Sequence, residues 1–509
     1  MKKYYEFHEE ISKENLFKGL LGFGLFAEKI PQFVSSVSFY NFITTKKFPY
    51  NDSKPTDYIR YSNMRNINIP RPLSIPEPFS YANQVKLLSE NWPKITSHVK
   101  KKTRAQKYKV SRIHLRNLKD KESLFEMNYK NFSTDGNPED EIFIKSKYIA
   151  HADIATCFPS IYSHSIAWAL VGKSLAKRES GQNYKNKWFN QIDFYTRNLK
   201  YGETNGLLIG PHSSNLISEL ILCCIDNQLL NRKYSFYRNV DDYTCYTNSH
   251  EEAEKFFVDL SELLKDFELS LNSKKSKISQ LPQASISNWI TKLNHFNFTD
   301  QYTTPSGTNG LKLKELRGFI DFVIETMLEN NNDAAILNYA IKIISNKHLG
   351  KIAHDYLINK LHHLTLLYPY LVLILEKYVF EKHKVDQTKI EAISNDLYEL
   401  GIKKKNYEIC SYALYFAVKY NFKLNNINIK RDSLKSSDCI FLMIAYLYDK
   451  RNNRKSYLKE YKDLALKLYK EDFHRFWLFC YEVLTQKELK DKYKELKRSG
   501  ISFIIDSFS

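Results

Sequence analysis

No Cys-x-x-Cys pair occurs in the chain, and none of its 7 cysteines, at 157, 223, 224, 245, 410, 439 and 480, has histidine partners at zinc spacing. A zinc finger or ribbon is thereby excluded, and thiols scattered this way predict a reducing, cytoplasmic setting rather than a disulfide framework. Long apolar runs are lacking too. The longest, Leu364 to Leu375, is interrupted by Pro369 and falls short of the roughly 20 residues that span a bilayer. Glu6, Glu9 and Glu10 stand where a secretory leader would need an apolar core, so a soluble intracellular protein with no membrane partner is expected. Acid is also in short supply: 57 Asp and Glu face 76 Lys and Arg, a formal net charge of +19. Such an excess favours a polyanionic partner such as nucleic acid or nucleotide; the bland alternative is a Lys-, Asn-, Ile- and Tyr-rich composition drawn from an AT-rich genome.

What is present is enough for several cores. At 509 residues with 43% hydrophobic residues the chain predicts two to four domains. Residues 1–57 read as helical and aromatic, with an apolar stretch from Leu16 to Ile30 softened by Gly19, Gly22 and Gly24. From Tyr58 to Trp92 the text is punctuated by Pro70, Pro72, Pro76 and Pro78, which excludes a helix interior because proline removes donors and holds its predecessor extended. A helix is expected from Phe79 to Leu88. A basic segment follows, Lys100, Lys101, Lys102 and Arg104, then Lys107, Lys109, Arg112, Arg116 and Lys119, which is either a solvated face or a phosphate-contacting surface. A polar, acidic loop runs from Asp135 to Asp140.

The middle of the chain alternates strand and helix signals. A strand is expected at Tyr148 to Ile154, a turn at Pro159, a loop from Gly202 to Gly210, an amphipathic helix from Asn215 to Leu230, a strand pair at Tyr234 to Asn239 and Tyr243 to Thr247, and a helix from Glu251 to Phe267. After about residue 315 the character changes to helix-period segments at 315–329, 333–345, 351–360, 364–380, 388–400, 407–419, 437–449, 456–469 and 472–484. No exact repeat period joins them, and stacked helical hairpins or an irregular bundle both fit.

The chemistry centres on Asp241 and Asp242. Adjacent carboxylates in a β-prone aromatic run repel each other and shun a core, so they require a hairpin tip and favour a cation. Asp153 lies in a second β-prone run upstream, Tyr148 to Ile154. Three strand-borne carboxylates suit two hard divalent ions about 3.5 to 4 Å apart, which activate a 3′-hydroxyl and stabilise a leaving pyrophosphate.

Four ordered segments then carry a resemblance. Asp153 to Tyr162 resembles motif A of reverse transcriptases, Gly206 to Asn215 motif B, Asn239-Val240-Asp241-Asp242 motif C and Leu269 to Ser276 motif D, while Arg71 to Pro78 resembles the fingers. The likeness covers about 60 to 300. The usual motif B glutamine is Ile209 here, the motif C tyrosine is Asn239, and a large helical region stands where a thumb would follow. That combination resembles the bacterial abortive-infection (Abi) polymerases. The resemblance implies an α+β fold of fingers (58–147) and palm (148–312) after an N-terminal helical segment (1–57), followed by an all-α, HEAT-like domain (313–509). It also implies Mg²⁺ or Mn²⁺, dNTP substrates, a homo-oligomer, and template-independent DNA synthesis primed from a protein side chain, with the single-stranded product covalently attached, in defence against phage.

Residue by residue, the resemblance makes Asp153 and Asp241 the metal ligands, with Asp242 assisting and Ile154 offering backbone to the second ion. Phe158 matches the steric gate against a ribose 2′-hydroxyl, or is plain core. Lys275 falls on the motif D lysine that protonates pyrophosphate, with Lys274 and Lys277 close enough to compete. Gly210 and Ser214 would line the nucleotide floor. His212 could touch phosphate or primer, or be a packed loop histidine. The 36 tyrosines offer many priming hydroxyls, among which sequence does not choose. Two alternatives stand beside this reading: a conventional templated RNA-directed DNA polymerase, and a catalytically silent helical scaffold.

Overall fold

The computed structural model describes residues 2–26, 29–46, 54–65, 69–117, 125–126, 136–284, 287–299, 301–303, 309–425 and 428–508. Three helices open the chain, Tyr4–Glu9, Lys13–Phe23 and Val37–Lys46. Ser12 starts the second by accepting the Asn15 N–H at 3.1 Å. The proline-punctuated stretch is extended, as proline geometry requires: strands β1 (Tyr58–Asn63) and β2 (Arg71–Pro76) pair antiparallel from Tyr58↔Pro76 to Asn63↔Arg71. Glu77 then caps the helix Pro78–Glu90, its carboxylate accepting the Ser80 N–H at 2.6 Å with Pro78 in the first turn, where a missing N–H costs nothing.

The basic segment divides in two. Lys100 to Lys102 close the helix Trp92–Thr103, where positive charge suits the carbonyl end. Beyond it, Lys109, Arg112 and Arg116 are 1%, 1% and 3% exposed. Arg116 Nη2 donates to the Arg112 carbonyl at 2.8 Å, and Arg112 reaches the Gly136 carbonyl. These three are neither a solvated face nor a phosphate surface; buried backbone carbonyls take donors of both arginines, and Lys109 Nζ lies 4.0 Å from the Phe7 ring centroid. Lys119 and Asp135 lie outside the described residues. A short pair, β3 (Arg116–Asn117) with β4 (Phe125–Glu126), follows.

The centre is a four-stranded antiparallel sheet in the order β6-β7-β5-β8, built from β5 (Tyr148–Asp153), β6 (Ser235–Asn239), β7 (Asp242–Thr247) and β8 (Lys277–Gln280). The helix His250–Lys265 packs on β5 and β7, and the helix His212–Asn231 packs against it and against Trp92–Thr103. His212–Asn231 begins three residues before the expected Asn215 and is buried on nearly all sides, as a helix at the centre of a core must be. His250–Lys265 starts where Ser249 accepts the Glu252 N–H at 3.2 Å.

From Leu313 onward the described residues are mainly helical. The principal helices are Leu313–Glu329, Ala335–Ile344, Lys351–Leu367, Gln387–Lys404, Tyr407–Lys419, Cys439–Asn452, Lys459–Glu471 and Trp477–Val483. Sequence periodicity passes over Ile429–Leu434 and Asp491–Arg498, which are too short to show a period. It also misplaces a boundary: Lys351–Leu367 runs through residue 364, and the chain turns at Pro369 into the 3₁₀ turn Pro369–Leu371, the helix Val372–Leu375 and the π turn Glu376–Phe380. A small sheet, β9 (Gln301–Thr303), β10 (Asn309–Leu311) and β11 (His348–Leu349), crosses the expected boundary at 312–313.

The helical region folds back on the front of the chain. Glu408 accepts from Asn63 Nδ2 at 2.8 Å and from the Met64 N–H. Lys492 and Tyr493 reach Glu77, the lysine at 3.2 Å. The C-terminal segment is tied to the N-terminal one, with Ser35 N–H donating to the Phe503 carbonyl at 2.8 Å and Ile505 N–H to that of Phe33 at 3.0 Å. A continuous apolar cluster runs through all of these parts. All 7 cysteines are free and buried, and no helix among the described residues is long and apolar enough to cross a membrane.

Candidate active site

The β6–β7 hairpin closes through Val240 and Asp241, with Asn239 opposite Asp242. Val240 has φ 57°, a left-handed conformation costly for a β-branched residue. The surroundings over-determine it. Arg238 Nη1 donates to the Val240 carbonyl at 2.6 Å, and the Ile154 N–H donates to that of Asp241 at 3.2 Å. Arg238 is itself fully buried and ion-paired to Glu219 at 2.7 Å and Asp226 at 2.8 Å, both on the helix His212–Asn231. Tyr4 Oη and Ser111 Oγ donate to Glu219 Oε2 at 2.8 and 2.9 Å, completing the network that a buried charge requires.

Asp153 ends β5 directly opposite Asp242 in the sheet register. Asn272 Nδ2 donates to its Oδ1 at 2.8 Å, Lys275 Nζ to its Oδ2 at 2.9 Å, and the Asn272 N–H to its backbone carbonyl at 2.8 Å. Burial, and then the nearby Asp153 charge, raise the Asp241 carboxyl above its usual range. Partial burial and the charges of Asp241 and Asp153 push Asp242 up to about 6, although one edge of it faces solvent. The Lys275 amine is raised by its hydrogen bond to Asp153. A cavity of about 410 Å³ opens beside Asp153 and Asp242, with Lys274, Lys275 and Lys277 along its wall. Carboxylates held so close resist ionising together, and hard oxygen donors in this grouping fit a divalent cation of the Mg²⁺ or Mn²⁺ type, which would relieve their repulsion.

The other expected site residues lie around this centre. Ile154 is buried and bridges to Leu271 beside the carboxylates. Phe158 is half-buried against the core, its carbonyl accepting the Leu207 N–H at 2.8 Å. Gly210 has φ 129°, in a region that favours glycine, and the preceding Ile209 carbonyl accepts the Ser74 N–H of β2 at 2.7 Å. Ser214 is buried, its N–H bonded to the Pro211 carbonyl at 3.1 Å. His212 is 6% exposed and its N–H donates to the Gly24 carbonyl at 3.0 Å, which supports the packed reading of this histidine over contact with primer. A Cβ at Gly24 would lie 2.8 Å from His212 Cβ, so glycine is needed for that approach.

Sequence reasoning left three participants without roles: Asn272, and the pair Glu219 and Asp226 that hold Arg238. A signal existed for the last two. They are acids seven residues apart on a largely buried helix with no Lys or Arg of its own, one face of which must then meet a cation from elsewhere.

Comparison with known families accords with this geometry. The family model described as "Reverse transcriptase (RNA-dependent DNA polymerase)" matches residues 95–298, the stretch that holds the sheet and all three aspartates. Residues 95–298 are therefore a reverse transcriptase domain, and the class of enzyme it indicates is a nucleotidyltransferase of the DNA polymerase type. Among solved structures, one of telomerase from Candida Tropicalis in complex with a TWJ fragment of telomeric RNA is similar at 12% sequence identity and a TM-score of 0.32, over 71% of this chain. The chain spans 64% of the length of that telomerase chain. Comparison with curated proteins gives no match.

Proposed function

We propose that the protein is a divalent-metal-dependent DNA polymerase that extends a strand from dNTPs without a template, primed from its own side chain, in defence against phage. The observation that carries the polymerase reading is the meeting of Asp153, opposite Asp242 in the register, with Asp241 in the adjoining turn. Asp153, Asp241 and the Ile154 backbone would hold Mg²⁺ or Mn²⁺, with Asp242 assisting. Bound ions supply Lewis-acid activation of the attacking hydroxyl and neutralise charge on the leaving pyrophosphate.

The remaining work falls to the chain. Asn272 orients Asp153 by its amide, and Lys275, whose amine is hydrogen-bonded to Asp153, would donate a proton to a departing pyrophosphate. Phe158 would meet the sugar at its 2′ position, and Gly210, in the loop braced by β2, and Ser214, in the first turn of the helix His212–Asn231, would line the nucleotide floor. Template independence is favoured by Ile209 in place of the motif B glutamine. Protein priming, homo-oligomerisation and the defence role rest on the likeness to abortive-infection polymerases.

A second reading, a templated RNA-directed polymerase, is favoured by the description of the family that matches residues 95–298. One experiment separates the two. Full-length protein is incubated with Mg²⁺ and labelled dNTPs, with and without added RNA. Label that resists boiling in detergent and is released by protease supports protein-primed synthesis. Label that depends on RNA and migrates free of protein supports the templated reading, and no incorporation by folded protein supports the silent scaffold.

A further inference from the structure

The helix Trp92–Thr103 carries a cationic stripe that the carboxylate site leaves unused. Lys94, His98, Lys101 and Lys102 fall at positions i, i+4, i+7 and i+8, one face of a helix. That face lines a cleft of about 730 Å³ whose far wall includes Trp168, Lys173 and Cys224. The cleft shares no lining residue with the cavity at Asp153 and Asp242. Its volume lies within the roughly 300 to 1,000 Å³ range of small-ligand sites.

The charge balance is lopsided. Four lysines and a histidine face a single acid, Asp266, among the lining residues. Lys173 Nζ is spent partly on the Asp266 backbone carbonyl, at 3.1 Å, and lies 4.3 Å from the Trp168 ring centroid, with a loose pairing to Glu268 at 3.9 Å. Lys94 Nζ donates to the neutral Asn91 Oδ1 at 3.1 Å and lies 5.3 Å from the Trp188 ring centroid, with no ion pair among the described residues. Lys101 and Lys102 have no ion pair among the described residues. His98 Nε2 lies 3.5 Å from Cys224 Sγ, which anchors the stripe to the helix His212–Asn231. Amines gathered around a concave surface repel one another, and a multivalent anion removes that cost. Phosphate is the anion suited to point-charge amines, and an indole beside them offers a stacking face to a base.

We infer that this cleft is a second phosphate-binding site, separate from the three carboxylates, which takes a nucleotide or the backbone of a single strand. Lys94, Lys101, Lys102 and Lys173 contact the phosphates, and Trp168 contacts the base. Unlike a nucleotide held at Asp153 and Asp241, this ligand needs no divalent ion.

The test is equilibrium binding to the full-length protein in EDTA, with dTTP, inorganic phosphate and a ten-nucleotide oligothymidylate as separate probes. Wild type and Asp241→Ala should bind alike, since the site does not use the carboxylates. Lys101→Glu with Lys102→Glu should weaken binding about tenfold or more and flatten the salt dependence by roughly 1.4, two single-strand phosphate contacts. Lys101→Gln with Lys102→Gln, a milder change, should weaken it in the same direction should charge reversal impair folding. Lys403→Glu with Lys404→Glu, an equal change at exposed lysines elsewhere, should leave it unaltered. Tight binding of dTTP marks a nucleotide site, and binding of the oligomer alone marks a strand path. Absence of binding in EDTA, or equal loss with the Lys403 and Lys404 variant, would overturn the proposal. Failure of polymerase activity would leave it untouched.

Discussion

The Arg238 guanidinium grips the Val240 carbonyl at 2.6 Å and thereby fixes the turn that presents Asp241. The two residues belong to one hairpin, yet the grip depends on Glu219 and Asp226, which hold Arg238 from the helix beneath. A strained turn and a buried ion network are thus one device. Removing the arginine leaves two buried carboxylates without their cation, with only hydroxyl donors such as Tyr4 and Ser111 on Glu219, the costly half of a broken buried pair. Arg238→Ala should therefore lose about 3 to 5 kcal/mol of unfolding free energy, read from urea denaturation. Arg238→Lys keeps the charge but not the fork, so it should lose less stability and still incorporate dNTPs more slowly. A wild-type melting curve for Arg238→Ala would contradict the network.

At the carboxylates the expectation runs the other way. Asp241 and Asp242 are both raised, by burial and by neighbouring negative charge, so each stands as an electrostatic burden until a cation binds. Asp241→Ala, measured in EDTA, should unfold no earlier than wild type while incorporation falls by at least about a hundredfold. Asp153→Ala should be equally inactive, and because it also frees Asn272 and Lys275 it should be the less stable of the two. Activity within tenfold of wild type in a folded Asp241→Ala protein would remove the proposed site.

Phe158 tests the sugar side. Its ring is half-buried, with its backbone tied to Leu207, so truncation leaves the loop in place while opening the space it fills. Phe158→Ala should accept rNTPs that wild type rejects, at a cost of about 1 to 3 kcal/mol in stability for a partly buried ring. If dNTP incorporation persists and rNTPs stay excluded, the ring is core and sugar selection lies elsewhere.

Much of the site was legible because its signals are local. Adjacent aspartates cannot sit inside a strand, so the hairpin tip followed from Asp241 and Asp242 themselves, and the flanking aromatic residues set the strands to within a residue. The helix 407–419 was equally plain, since its apolar period is uninterrupted and Asn406 caps it, accepting the Ile409 N–H at 3.3 Å. What failed was whatever depends on a distant partner. Lys109, Arg112 and Arg116 read as surface because charge is normally solvated, and only the fold supplies the carbonyls that receive the two arginines and the Phe7 ring beneath Lys109. The strands of two or three residues at 301–349 are too short to show alternation. Arg238 in a strand looks solvent-facing until Glu219 and Asp226 are brought beneath it.

The docking of the helical region onto β1 carries its own titration. Burial pushes the Glu408 carboxyl up to about 7, while hydrogen bonds from the Met64 N–H and Asn63 pull it down without cancelling that rise. In the unfolded chain the same group titrates near 4.5. The folded state therefore binds the proton more tightly between these values. Stability from this group is fully present below about 4.5 and is lost as pH rises through about 7. The loss is on the order of 3 kcal/mol, a large fraction of a typical margin. Wild type should melt progressively earlier from pH 5 to 8, relative to Glu408→Gln, which keeps a carbonyl acceptor for Met64 and has no charge to bury. Parallel melting curves for the two proteins across that range would show that Glu408 is already ionised in the folded chain, its two donors outweighing its burial.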